Sequence, residues 1–137
     1  MKTVYMDGVF DMFHIGHLKS IHQCLEFGDR LIIGVVSDHD ATGYKRAPIC
    51  TQINREEIVR NIKGVDEVIS ECPLRLTHDF ITEHAIDVVV HGFSNENDRN
   101  TQLEFFKIPV ELGIFQEIAY HKGISTTGII EKISQLK

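Results

Sequence analysis

Cysteine is scarce in this sequence, and the few cysteines present do not form any paired motif. Cys24, Cys50 and Cys72 are odd in number and widely spaced along the 137 residues. They therefore make neither a CxxC pair nor the framework of a small disulfide-rich protein. We expect a protein that stays reduced in a cytoplasmic compartment.

Long apolar runs are also missing. No hydrophobic stretch approaches the ~20 residues that a membrane-spanning helix needs, and no repeat or low-complexity linker divides the chain. The N-terminal residues Met1–Gly8 reach an acidic residue and a glycine too early for a signal peptide. The sequence therefore predicts one catalytic domain over residues 1–137, without an intrinsic membrane segment or a second domain.

Basic residues are fewer than acidic ones. The chain has 14 lysine and arginine residues against 20 aspartate and glutamate residues, for a formal net charge of −6. This balance excludes broad, non-specific binding to nucleic acid, and we expect no nucleic-acid partner. An anionic substrate then requires a pocket in which a few basic groups are concentrated.

The sequence does contain a regular alternation of short β-rich apolar runs and helix-like segments. Strands are predicted at Thr3–Met6, Arg30–Ser37, Val65–Ser70, Asp87–His91 and Gln116–Tyr120. Helices are predicted near Gly16–Phe27, Gln52–Lys63, Thr77–His84 and Thr126–Leu136, with a shorter piece at Phe105–Leu112. The second and fourth strands are apolar at successive positions, which is typical of strands covered on both faces. The pattern predicts a Rossmann-like three-layer α/β sandwich with a five-stranded parallel sheet.

Polar residues stand where several of these helices should begin. Thr51, Thr77 and the pair Ser125 and Thr126 are placed as N-caps, and Pro109 must begin or break any helix around it. In a parallel α/β sheet, ligands bind beyond the carboxyl ends of the strands, where the strand order reverses. The loops after the first, fourth and fifth strands are therefore the candidate binding loops.

The loop after the first strand runs from Asp7 to His17. Gly8 allows a tight turn, and the segment then enters a helix whose unpaired first amides favour an anion. His14 and His17 lie three residues apart on one helical face, and Gly16 between them leaves space for a phosphate. Taken singly, each histidine also fits a capping or solvated role. No carboxylate or cysteine follows at ligand spacing, so no protein metal site is predicted.

The strings Gly8-Val9-Phe10-Asp11 and His14-Ile15-Gly16-His17 resemble the nucleotide-binding region of the HxGH nucleotidyltransferase superfamily. More narrowly, the chain resembles the cytidylyltransferases that act on phosphoethanolamine, phosphocholine or glycerol 3-phosphate. The resemblance runs from Val4 to about Ile133 and includes Lys45, Thr51-Gln52 with Arg55, Val65–Val68 and Gly123–Thr127. It implies the nucleotidyltransferase fold.

The resemblance implies an enzyme that transfers CMP from CTP to a small phosphomonoester and releases pyrophosphate, as in phospholipid synthesis. The phosphomonoester is largely dianionic at pH 7, because its second pKa is near ~6, and it therefore needs no general base. The site must instead bring two polyanions together and stabilise the charge of the transition state. The implied catalytic residues are His14, His17 and Lys45, and the implied cofactor is Mg²⁺ carried on CTP.

A larger set of residues is implied as nucleotide-binding. It consists of Gly8, Val9, Phe10, Asp11, Gly16, Arg55, His91, Gly92, Gly123, Ile124, Ser125, Thr126 and Thr127. Asp11 is expected to order the first loop, and Arg55 is expected to support the nucleotide site. Ser125 opens the last helix as a second anion site, which is compatible with helix capping. His91 and Gly92 are expected to help select the base and the acceptor, while a partly buried structural role for His91 stays open.

Lys45 lies in the stretch Ala41–Pro48, which is predicted to be a flexible loop. By resemblance it bridges the two substrates near the reacting phosphates. Taken without the resemblance, Lys45 and Arg46 indicate a solvated pair of loop charges.

Tyr120 is a departure from the family pattern, which usually has an arginine three residues before the glycine of the last motif. A tyrosine cannot replace the bidentate phosphate contact of an arginine. His121 or Lys122 is then expected to compensate, or CTP binds more weakly. A nucleotide-binding module without catalytic activity stays open as the alternative function.

The acceptor is expected to be phosphoethanolamine, followed by phosphocholine and glycerol 3-phosphate. Leu74 and Gly92 stand where the choline-type enzymes have an aromatic and an acidic residue. A trimethylammonium group is normally held by aromatic faces together with a carboxylate. The pattern here therefore favours a primary ammonium.

The resemblance also predicts a homodimer, because the family pairs its subunits around the third strand. Ile62, Val65 and Val68 offer apolar surface there for a contact between identical patches. Sedimentation at micromolar concentration should give a species of twice the chain mass of 15.6 kDa. A single species of the chain mass would contradict this prediction.

Overall fold

The centre of the molecule is a sheet of five parallel strands. The strands are β1 (Thr3–Gly8), β2 (Arg30–Val36), β3 (Glu67–Cys72), β4 (Val88–Gly92) and β5 (Phe115–Ile118), in the order β3-β2-β1-β4-β5. The computed structural model describes residues 1–121 and 123–136, so the compensating role expected of Lys122 falls outside the described residues. The predicted five-stranded parallel sheet is confirmed, with the third strand beginning two residues later than expected.

Seven α-helices are formed by the described residues. They are α1 (Ile15–Cys24), α2 (Asp38–Tyr44), α3 (Gln52–Arg60), α4 (His78–Glu83), α5 (Glu96–Gln102), α6 (Lys107–Glu111) and α7 (Thr126–Ser134), and a 3₁₀ turn at Leu103–Phe106 precedes α6. The expected caps Thr51, Thr77 and Ser125 each accept a hydrogen bond from a backbone amide of the first turn. Pro109 lies in the first turn of α6, where its missing N–H has no helical partner to lose.

Helices α2 and α5 were not predicted, and α2 corrects the flexible loop expected at Ala41–Pro48. Ser37 caps α2 by accepting from the amide of Asp40, and Asn95 caps α5 by accepting from the amide of Asp98. Acidic residues in the first turn of both helices interact favourably with the positive end of the helix dipole and stabilise these helix starts. Lys45 is therefore the residue that ends a helix and not the middle of a free loop.

The apolar core lies in two layers, one on each face of the sheet. On β1, Val4 and Met6 pack into one layer with Ile21 of α1, whereas Tyr5 packs into the other with Ile81 of α4. Strands β2 and β4 alternate in the same way, because successive strand residues point to opposite faces. Helices therefore cover both faces, and the three-layer prediction is confirmed.

The strand order reverses between β1 and β4, which lie side by side at the centre of the sheet. Their carboxyl ends open a crevice at this point, as parallel sheets of this type do. At the edge of the sheet, Ile62, Val65 and Val68 pack partly buried against the core of their own chain, and the dimer stays a prediction. Within residues 1–121 and 123–136, the structure has no helix that is both apolar and long enough to span a bilayer.

Candidate active site

A cavity of about 470 Å³ lies beyond the carboxyl ends of β1 and β4. It is lined by fourteen of the sixteen expected site residues: Gly8, Val9, Phe10, Asp11, His14, Gly16, His17, Lys45, His91, Gly92, Ile124, Ser125, Thr126 and Thr127. Gly123 and Arg55 are outside the lining. Gly123 has a φ of +100°, a left-handed conformation that favours glycine, at the turn that leads into α7.

His14 and His17 form a reciprocal cap at the start of α1. The backbone amide of Gly16 donates to Nδ1 of His14 at 3.1 Å, and the amide of His14 donates to Nδ1 of His17 at 3.1 Å. The two rings stack with their centroids 3.8 Å apart. The capping role considered for these histidines is therefore real, and it leaves their other ring nitrogens unused by the helix.

The same hydrogen bonds fix the tautomer of both rings. A neutral imidazole whose Nδ1 accepts a hydrogen bond must carry its proton on Nε2. Burial lowers the pKa of His17 to about 3, helped by the neighbouring His14 and Lys45, and burial also lowers the pKa of His14. At neutral pH the cavity therefore contains two uncharged Nε2–H donors in a fixed arrangement.

Glycine at position 16 is what allows this arrangement. A Cβ atom there would lie 2.9 Å from Cε1 of His14 and 3.6 Å from the carbonyl oxygen of Ile124. The preceding loop is strained, because Phe10 and Met12 have φ angles of +54° and +46°. Left-handed non-glycine residues persist only where surrounding contacts hold them, and they cluster at functional loops.

Asp11 joins three segments around the cavity. Its carboxylate oxygens accept from the amides of Ile49 and Cys50, both at 2.8 Å, and its carbonyl accepts from the hydroxyl of Thr126 at 2.8 Å. The side chain is buried, so these partners replace the water that the carboxylate loses. Asp11 thereby ties the first loop to the segment before α3 and to the start of α7.

Arg55 acts beneath the cavity, and this position corrects the expectation of a direct nucleotide contact. It is 1% exposed, and its Nη1 donates to the carbonyl oxygens of Val9 and Val36. Its Nε and Nη2 donate to Cys50, Asp38 and Gln52. All five N–H groups are used inside the protein, so Arg55 supports the first loop and has no donor left for a ligand.

Lys45 and Arg46 bring positive charge to the cavity from the end of α2. The Lys45 residue is exposed, yet its ammonium lies among protein groups near the Tyr44 ring, and this desolvation lowers its pKa against the opposing effect of Asp98 and Asp7. Lys45 remains cationic at neutral pH, because the residue is exposed to solvent and the two carboxylates oppose the lowering of its pKa. Lys45 and Arg46 are therefore not merely a pair of solvated loop charges, because both line the cavity.

Further residues line the cavity, and three of them, Arg46, Tyr120 and His121, were already considered in the sequence. Those that were not predicted are Met6, Asp7, Ser20, Tyr44, Pro48, Ser94, Asn95, Asn97, Asp98, Thr101 and Gln102. Several belong to α5, whose polar composition hid it, although Asn95 followed three residues later by Asp98 is a recognisable helix start. Asp7 is the last residue but one of β1, at the carboxyl end where the strand-order rule would have found it.

The cavity lining also contains a buried carboxylate next to an aromatic cluster. Asp7 is 8% exposed, and its Oδ1 lies 3.4 Å from Nδ1 of His91. The His91 ring packs against Phe93 and Phe106, with centroids 4.8 Å and 4.6 Å away. His91 is therefore partly buried and also lines the cavity, and its part in selecting the base and the acceptor stays a prediction. Leu74 packs against Val36 and Cys72 and is not among the lining residues.

Sequence comparison relates this chain to a known family over almost its whole length. A family profile described as cytidylyltransferase-like matches residues 5–132. Ethanolamine-phosphate cytidylyltransferases from Arabidopsis thaliana and Dictyostelium discoideum are 34% and 36% identical, over 95% and 96% of this chain. Choline-phosphate cytidylyltransferase 2 from Arabidopsis thaliana is 37% identical over 95% of it. The chain spans 32%, 38% and 44% of the lengths of these three relatives.

Solved structures share the same fold. A lipopolysaccharide core biosynthesis protein from Thermoplasma volcanium matches with a TM-score of 0.66 and 25% identity, over 90% of this chain and 99% of that one. The TmcAL protein of Thermotoga maritima, bound with alpha-thio ATP, matches with a TM-score of 0.68 and 14% identity, over 98% of this chain and 50% of that one. The second likeness is one of fold alone.

The junction at Asp11 predicts a stability effect. Asp11→Asn replaces one accepting oxygen by an NH₂ group that faces a backbone amide, so we expect a loss of about 1–3 kcal/mol in the free energy of unfolding. Urea titration followed by circular dichroism measures it. Asp29→Asn is the matched control, since Asp29 accepts from the amide of Lys2 at an exposed site, and it should change stability by less than about 0.5 kcal/mol. Equal effects of the two variants would contradict the role of Asp11.

The neutral histidine pair predicts acid sensitivity. The pKa of His17 is about 3 in the folded protein and 6.5 for a histidine without these surroundings, as in the unfolded chain. Between these two pH values the unfolded chain therefore binds a proton that the folded protein does not. Stability should therefore fall as the pH is lowered from 6.5 towards 3. His17→Asn keeps an oxygen acceptor for the His14 amide but does not titrate, and it should flatten this dependence in thermal unfolding at a series of pH values. His39→Asn, at an exposed position on α2, serves as the control; an unchanged slope for His17→Asn would refute the assignment.

Proposed function

Because the chain belongs to the cytidylyltransferase-like family, we propose that it transfers a cytidylyl group from CTP to a small phosphomonoester, with phosphoethanolamine as the favoured acceptor. The reaction forms a bond between an acceptor phosphate oxygen and the α-phosphorus of CTP. It breaks the bond from that phosphorus to the oxygen that bridges to the β-phosphate, and pyrophosphate leaves with the electron pair. The product is a CDP-alcohol.

The observation that carries the proposal is the pair of Nε2–H donors of His14 and His17. They lie in one cavity with the start of α7, where the Ser125 side chain caps the amide of Gly128 and the amides of Thr126 and Thr127 have no partner among the described residues. A triphosphate requires several donors that are already oriented, because donors that are fixed in advance need no reorganisation as charge develops. The hydrogen bonds to the Nδ1 atoms supply this orientation.

Lys45 complements these neutral donors with a charge. It lines the same cavity as the histidines, Asp7 and Asp98, and both carboxylates act on its pKa. A flexible ammonium at this position can approach the oxygens of the reacting phosphates of both substrates. We assign it to the charge that accumulates when the two anions meet.

The acceptor is recognised by two acidic residues of the cavity. The buried Asp7 carboxylate and the partly buried Asp98 form an acidic part of the cavity lining. A carboxylate that faces a cavity is stabilised by a cationic ligand group. A primary ammonium can also donate to such a carboxylate, whereas a quaternary one depends on aromatic faces. Phosphocholine remains the second candidate, because Tyr44 supplies one aromatic face and choline-phosphate cytidylyltransferases are among the relatives.

Mg²⁺ is proposed as the counter-ion of the triphosphate. Among the described residues no group of three histidine, cysteine or acidic side chains is placed to hold a metal ion. Mg²⁺ commonly keeps several waters and binds through substrate phosphates. The triphosphate oxygens and water would therefore coordinate the ion here. The ion would neutralise part of the charge that CTP brings to an acidic chain. A homodimer and a cytoplasmic location complete the proposal.

The assay that tests this function is CTP-dependent release of pyrophosphate with a panel of phosphomonoesters. Phosphoethanolamine should give the highest kcat/KM, followed by phosphocholine and then glycerol 3-phosphate. His17→Ala should lower kcat by about 10²–10³, the usual effect of losing one pre-organised donor. Lys45→Ala should lower kcat with only a modest change in KM, because its contact strengthens in the transition state.

Matched controls come from the same helix. His22→Ala and Lys19→Ala remove exposed residues of α1 that do not line the cavity, and both should retain normal turnover. Normal turnover of a folded His17→Ala variant would contradict the phosphate role of the histidine pair. CTP binding without turnover on any acceptor would favour the non-catalytic nucleotide-binding module.

A further inference from the structure

Arg46 is a basic residue in the lining of the cavity, and the proposed mechanism assigns no role to it. It follows α2 in the chain, yet its Nη1 donates to the hydroxyl of Thr127 at 3.0 Å. Thr127 stands in the first turn of α7. The side chain therefore crosses from one wall of the cavity to the helix start that forms its second anion site.

The guanidinium of Arg46 is incompletely satisfied in this position. Its Nε is buried and has no hydrogen-bond partner among the described residues, and the same holds for Nε2 of His121 in the same lining. An unpaired buried donor on a charged group is costly, and native proteins rarely keep one without a functional reason. The unpaired Nε–H of Arg46, in a lining that also contains the start of α7, indicates that an acceptor-rich ligand completes the site.

The charges around the cavity support an anionic ligand at this point. Asp7, Asp11 and Asp98 make much of the lining acidic, and the lysine and arginine side chains of its described part are those of Lys45 and Arg46. Lys45 is already assigned to the reacting phosphates. Arg46 is the group that remains for the rest of a triphosphate, and a guanidinium suits phosphate because it donates two parallel hydrogen bonds.

We propose that Arg46 binds the terminal phosphates of CTP, together with the free amides at the start of α7. The inference rests on the proposed function and adds a specificity residue to it. Arg46 would supply the charged fork that Tyr120 lacks, and this compensation comes from the segment after α2. The terminal phosphates are also the leaving group, and the contact therefore acts in the transition state as well as in binding.

The test compares CTP with CMP, which lacks the terminal phosphates. Calorimetric titration of Arg46→Gln with CTP and Mg²⁺, at one fixed salt concentration, should show affinity about 10- to 100-fold weaker than that of the wild type. The affinity for CMP should stay unchanged. Arg46→Lys keeps the charge without the fork and should recover only part of the loss. In turnover, kcat/KM for CTP should fall by a similar factor, while KM for the acceptor stays the same.

Two further variants sharpen the comparison. Arg75→Gln removes an arginine that pairs with Glu104 at an exposed site away from this cavity, and it should bind CTP as the wild type does. Adding Tyr120→Arg to Arg46→Gln should restore part of the CTP affinity, because it introduces a guanidinium into the lining of the same cavity. Circular dichroism confirms that each variant is folded.

Each contrary outcome overturns a different statement. Wild-type CTP affinity in a folded Arg46→Gln variant would overturn the role of Arg46 while leaving the proposed function intact. Equal losses for CTP and CMP would overturn the assignment to the terminal phosphates. A wild-type protein that binds neither CTP nor CMP would overturn the proposed function itself, and with it the inference.

Discussion

The carboxylate of Asp11 is the interaction on which the candidate site depends. The cavity is assembled from chain segments that are far apart in sequence. The buried Asp11 side chain contacts the segment before α3, and its carbonyl contacts the start of α7. Arg55 completes the junction from below, because its guanidinium holds the carbonyl of Val9 in the same loop. The first loop can therefore keep left-handed residues at Phe10 and Met12, since the surrounding hydrogen bonds offset the backbone strain.

This division of labour separates residues that hold the site from residues that can contact a ligand. Every N–H group of Arg55 donates a hydrogen bond inside the protein. The histidine pair, in contrast, uses only one nitrogen of each ring to cap the helix start. Each imidazole is thus held in position through its Nδ1 atom, and the Nε2 atom on the opposite side of the ring is left available for a ligand. A site built in this way is rigid before any ligand arrives, which is the condition for electrostatic stabilisation without reorganisation.

The sheet and most of the lining could be predicted because their signals are local in the sequence. Apolar runs such as Leu31–Val36 indicate strands by their own composition, and the loop after β1 is marked by Gly8 before it and by the His14 and His17 pair that follows. The contribution of Arg46 could not be predicted, because it depends on a contact with Thr127 across the cavity. Helix α5 was missed for a different reason: its polar residues give no apolar period, and only the Asn95 cap marks it. Arg55 was recognised as important, but burial alone decides whether an arginine binds a phosphate or a backbone carbonyl.

The uncharged state of the two stacked imidazoles has a consequence for the end of a catalytic cycle. A hydrogen bond between an ionised donor and an anion adds the attraction of opposite charges, which a neutral donor lacks. Imidazolium groups in this position would hold a polyanion firmly, and they would repel each other at a centroid separation of 3.8 Å. Neutral rings limit how tightly an anion is held, and under the proposed function this would favour release of the product.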